Sequence, residues 1–100
     1  MVKHIVLWTL KETAEGRSKQ ENLLLAKQKL EAMAGKVPGM TRLEVGINFQ
    51  TRDGAWDLAL YSEFESQRAL EGYRSHPEHL KAIEYLRTVR DQRAVVDYEI

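Results

Sequence analysis

The segment "YRSHPEHLK", Tyr73 to Lys81, holds two of the chain's three histidines with a tyrosine just upstream. An imidazole titrates near neutral pH and can remove a proton beside a carbonyl, and a phenol can donate to the developing enolate oxygen. From Pro77 onward, His79, Ala82, Ile83 and Leu86 follow i, i+3, i+4, i+7 spacing, which puts His79 on the inward stripe of a helix. Tyr73 lies six residues before His79, about 120° away round a continuous helix. Pro77 disfavours helical backbone at His76 and breaks that continuity, so both groups can aim at one cavity. The spacing leaves a second reading open for each. His79 can be a core imidazole bonded to a backbone carbonyl, and Tyr73 an amphipathic residue with its hydroxyl at the edge of the core.

The remaining candidates are weaker. His76 suits the N-cap of the helix that Pro77 opens and is expected to be mostly exposed. His76 and His79 have the spacing of a metal pair, but no third ligand lies nearby, and capping accounts for His76 without a metal. His4, on the first predicted strand, is either a filler of an interface or a pocket group. Trp8 and Trp56 are expected in the core.

These residues need elements to hold them. Residues 2–10, "VKHIVLWTL", read as a strand apolar on both faces, with His4, Val6, Trp8 and Leu10 on one and Ile5 and Leu7 on the other. Ser18 and Glu21 form a capping box for an amphipathic helix carrying Leu23, Ala26, Leu30 and Met33, which Gly35 and Pro38 close. Its start lies between Ala14 and Ser18. Residues 41–49 alternate, with Leu43, Val45, Ile47 and Phe49 inward. "QTRDG" is a long hairpin loop. Residues 55–64 alternate again, with Trp56, Leu58, Leu60 and Phe64 opposed to Asp57, Ala59, Tyr61 and Glu63. Ser66 caps a short helix through Leu70 and Tyr73, and Pro77 starts a second short helix. Residues 93–100 close the chain as a strand, with Ala94, Val96, Tyr98 and Ile100 on one face.

The order βα, ββ, α(α)β predicts an α+β, ferredoxin-like βαββαβ subunit, a four-stranded antiparallel sheet with helices on one side, as one domain over residues 1–100. The first strand's second apolar face must be covered, and a copy of the same sheet would cover it. Lys plus Arg equals Asp plus Glu at 15 each, which argues against nucleic acid and anionic membranes as partners. The absence of cysteine excludes disulfides, thiolate nucleophiles and Cys-bound metals. No stretch has the apolar length of a membrane span, and the N-terminus lacks signal-peptide character, so a cytoplasmic protein is expected.

The stretches "VKHIVLWTLKE", "GKVPGMTRLEVGIN", "DLALYSEFES", "YRSHPEHLK" and "RAVVDYE" together resemble the stress-responsive dimeric α/β-barrel (Dabb) family across essentially the whole chain. The resemblance implies a homodimer whose sheets pack face to face into a barrel. It is distantly similar to the olivetolic acid cyclase branch, which closes polyketides by aldol chemistry. Tyr73 and His79 fall on that branch's acid–base pair, and His4 on a first-strand histidine. Asp57 stands where the cyclase has another pocket histidine. The resemblance thus implies a mainly apolar cavity between helices and sheet, with His79 as base, Tyr73 as hydrogen-bond donor to a carbonyl oxygen, and His4, Asp57 and Ile83 in the lining. The implied ligand is a small carbonyl or aromatic compound, turned over by cyclase-like acid–base chemistry that requires no cofactor. The alternative is a non-catalytic stress-responsive or ligand-binding dimer. Some family members hold a structural magnesium ion on helix-to-strand loop carbonyls, and the matching positions are Ala34, Val37 and Met40.

Overall fold

The computed structural model describes all 100 residues. Strand β1 (Val2–Leu10) is followed by a small hairpin of β2 (Thr13–Ala14) and β3 (Arg17–Ser18), helix α1 (Lys19–Glu31), strands β4 (Met40–Ile47) and β5 (Leu58–Phe64), helices α2 (Gln67–Arg74) and α3 (Pro77–Val89), and strand β6 (Arg90–Glu99). The main sheet has the order β4-β5-β1-β6, with every pair antiparallel. This is a ferredoxin-like α+β fold. No helix is long and apolar enough to cross a membrane.

Alternation in the strands decides which side chains meet the helices. Val2, His4, Val6, Trp8 and Leu10 of β1 are buried, and so are Leu58, Leu60, Ser62 and Phe64 of β5. Leu23, Ala26 and Leu30 of α1, Leu70 and Tyr73 of α2, and Ala82, Leu86 and Val89 of α3 close over them. Ser18 is the N-cap of α1. Its hydroxyl accepts from Glu21 N–H at 3.2 Å, and Glu21 accepts from Ser18 N–H at 3.0 Å, the reciprocal pair that fixes the helix start.

Three sequence expectations need correction. Strand β4 ends at Ile47, and Phe49 lies beyond it, 89% exposed. Asn48 N–H still bonds Asp57 O in register with the Ile47–Leu58 pair, but its side-chain amide then donates to Trp56 O, and side-chain bonds replace the ladder before Phe49. Trp56 therefore precedes β5 and is half-buried at the sheet's end instead of in the core. The second short helix is a full 13 residues, since its apolar stripe continues through Leu86 to Val89.

The opposite face of the sheet carries no helix. Ile5 and Leu7 lie there beside Val96 and Ala94 of β6 and Tyr61 and Ala59 of β5, and Val96 and Tyr98 are exposed.

Candidate active site

Helix α2 ends at Arg74 with Ser75 as C-cap, and His76 adopts extended backbone (φ −68°, ψ 136°) before Pro77 begins α3. The break folds α3 back so that the rings of Tyr73 and His79 stand 4.2 Å apart. His4 reaches Tyr73 from β1 at 5.7 Å, and Phe64 packs on Tyr73 at 5.1 Å. His76 caps α3, its Nδ1 accepting from Glu78 N–H at 3.1 Å. It is half-buried rather than mostly exposed, and it lies outside the cavity described next.

Tyr73, His79, His4 and Ile83 border one cavity of about 530 Å³. It lies between α2, α3 and the helix-facing side of β1 and β6, and its volume is that of a small-molecule site. Trp8, Leu86, Val95 and Asp97 also border it.

Each cavity imidazole has one nitrogen anchored. His4 Nδ1 lies 2.5 Å from Asp97 Oδ1, and since an ionised carboxylate only accepts, the ring proton sits on Nδ1. His79 Nδ1 donates to the Arg74 carbonyl at 3.1 Å. Both rings, when neutral, keep their lone pair on Nε2. Burial holds the His79 pKa below the ordinary value, and the Arg74 carbonyl bond only partly opposes this. Tyr73 is 3% exposed, and burial raises its pKa, so it stays a protonated donor. Its hydroxyl has no protein partner, and the one fully sealed side-chain polar atom lacking a partner is Trp8 Nε1. The Tyr73 hydroxyl is therefore open to the cavity.

Asp57 is not part of this lining. Its carboxylate accepts from Leu10 N–H at 2.8 Å and pairs with Lys19 at 3.4 Å, tying the end of β1 to the start of α1. It precedes β5 at the far end of the sheet, which is why a match in sequence did not place it with the histidines.

The cavity also differs from the apolar one expected. Arg74, Arg87, Arg90 and Arg93 all border it. Two of them come from β6, and a bulge brings them there together. Thr9 pairs with Gln92, but Leu10 pairs with Arg90, so Asp91 is the unpaired extra residue. Unbroken alternation would have carried Asp91 to the helix-facing side with Arg93, Val95 and Asp97; the shift puts Arg90 there instead. The sequence reading missed these arginines, although "RTVRDQR" spaces them three apart across the helix-to-strand junction.

Of the three carbonyls of the α1–β4 loop matched to a magnesium site, that of Val37 accepts from Met40 N–H at 3.2 Å. No group of three or more His, Asp or Glu side chains is arranged as a metal site, so a cation there would rest on carbonyl oxygens.

The sequence matches the model of the stress responsive A/B barrel domain, Dabb, over residues 2–100. The chain belongs to this family. The chain is similar to an uncharacterised protein of Streptomyces coelicolor, 27% identical over 99% of both chains. A dimeric ferredoxin-like protein of unknown function from Bacteroides fragilis is 36% identical, with a TM-score of 0.81 over 99% of this chain and 95% of its own. The hydroxynitrile lyase of Passiflora edulis has the same fold, at 18% identity and TM-score 0.81 over 99% of this chain and 92% of its own.

Proposed function

We propose that this Dabb protein is an acid–base enzyme for a small carbonyl compound, acting in the cavity bordered by Tyr73, His79 and His4. The observation that carries this reading is the Tyr73 hydroxyl, which meets the cavity without a protein partner while each neighbouring imidazole is anchored through Nδ1. Tyr73 donates to the carbonyl oxygen. His79, kept neutral by burial, removes the adjacent carbon-bound proton through Nε2, leaving an enolate that Tyr73 stabilises. Aldol-type ring closure and related additions begin with this step. The Asp97-anchored His4 lies 5.7 Å from the Tyr73 ring and borders the same cavity. The Passiflora edulis hydroxynitrile lyase gives the fold a precedent for enzymatic chemistry.

The working unit is a homodimer joined through the helix-free face of the sheet. The uncovered Ile5, Leu7, Ala94 and Val96 support it, as does the dimeric Bacteroides fragilis relative. A non-catalytic, ligand-binding dimer is the second reading, favoured by the same uncovered face.

Proton exchange tests the chemistry before a natural substrate is identified. Small ketones, neutral (acetone, acetophenone) and carboxylated (pyruvate, levulinate), are incubated with protein in D2O, and loss of the α-hydrogen signals is followed by NMR. Exchange faster than buffer is expected, falling about 10²–10⁴-fold in His79→Ala and Tyr73→Phe. Ligand binding without exchange for any ketone would hand the cavity to the non-catalytic reading.

A further inference from the structure

We infer that the ligand carries a carboxylate, held in the cavity by Arg90 and Arg93. This rests on the cavity being the ligand site and names the class of molecule it takes. Four arginines border the cavity against one acid, Asp97. Asp97 already engages His4 and Arg74, whereas Arg87, Arg90 and Arg93 have no carboxylate within ion-pairing distance. The negative C-terminal end of α3 accounts for Arg87 in its last turn and Arg90 at its C-cap. It does not account for Arg93, which enters from β6 directly opposite Trp8.

The second observation is Trp8. It is 1% exposed, borders this cavity, and its Nε1 is the one sealed side-chain polar atom without a partner. Being sealed, that N–H is closed to a ligand; the indole is a wall of the cavity opposite Arg93, and its resonance reports an occupant there. The third is the bulge. Placing Arg90 rather than Asp91 on the cavity side exchanges a repelling charge for an attracting one. Asp97 in the same lining disfavours a dianion such as a phosphate monoester, so the singly charged, planar carboxylate is the better match to guanidinium forks. With the acid group at the arginines, a carbonyl elsewhere in the molecule faces Tyr73 and His79.

The test titrates ¹⁵N-labelled protein with benzoate, its neutral isostere benzamide, and inorganic phosphate, following the Trp8 indole resonance, assigned with Trp56→Phe. Benzoate is expected to shift the Trp8 signal, with benzamide silent and phosphate much weaker. Arg93→Gln should weaken benzoate about tenfold or more, whereas Arg68→Gln, on α2 outside the cavity, should leave it unchanged. Equal shifts from benzamide, a response to phosphate alone, or an unaltered affinity in Arg93→Gln would overturn the inference. Failure here is separable from failure of the proposed chemistry. Exchange of neutral ketones without benzoate binding removes the carboxylate subsite only. Benzoate binding without exchange removes the catalysis and leaves the subsite standing.

Discussion

Tyr73→Phe separates catalysis from stability with opposite signs. The ring is buried, packed between Phe64 at 5.1 Å and His79 at 4.2 Å, and phenylalanine retains all of that contact. The hydroxyl makes no protein hydrogen bond, so its removal breaks none. A polar group wholly buried without a partner costs about 1–3 kcal/mol. Because this one borders the cavity, the gain on deleting it is smaller, about 0–1 kcal/mol. For a domain of this size that raises Tm by at most about 5 °C. Tyr73→Ala removes the ring as well and should cost about 3–5 kcal/mol, lowering Tm by more than about 12 °C. In the D2O exchange assay Tyr73→Phe should lose about 10²–10⁴-fold in rate while melting no earlier than the parent. The reasoning is refuted if Tyr73→Phe melts more than about 5 °C lower with exchange intact, because the hydroxyl would then be structural.

The other expectations concern pH, assembly, the α1–β4 loop and metal. Burial depresses the His79 pKa below 6.5, so the unfolded chain binds its proton first: this contribution to stability is complete above pH 6.5 and is lost as pH falls toward the folded value. Urea midpoints from pH 8 to 5 should therefore fall less in His79→Gln than in the parent; parallel curves would contradict this. Val96→Lys places a charge on the helix-free face and should convert a dimer to a lower mass by light scattering, whereas an unchanged mass would exclude that face as the interface. Gly39 has φ +80°, and a Cβ there would stand 2.6 Å from the Ala69 Cβ. Gly39→Ala should cost at least about 1 kcal/mol through its backbone alone, and less in an Ala69→Gly background than in the parent, read as Tm. Magnesium held by the Ala34, Val37 and Met40 carbonyls would raise Tm and EDTA would lower it, since a ligand of the native state alone stabilises it; an unchanged Tm excludes the site.

The sequence by itself determined the elements and most of their faces. Alternation marked the buried side of β5, the Ser18–Glu21 box fixed the start of α1, and Pro77 separated α2 from α3. These are local consequences of backbone geometry, visible within a few residues of chain. Alternation failed at Phe49, where the Asn48 amide, donating to Trp56 O and accepting from Gln50 N–H, replaces the strand ladder. The family resemblance placed Asp57 in a pocket, whereas the tertiary fold ties it to Leu10 and Lys19. Only the assembled structure decided the character of the cavity. His4 and Asp97 lie at opposite ends of the chain and meet because β1 and β6 pair. The arginine lining depends on a one-residue shift between Thr9 and Leu10, and a period-two pattern carries no record of where a partner strand will slip. A side chain's charge is written in the sequence, but the side of the sheet on which that charge emerges is set by pairing across the whole length of the molecule.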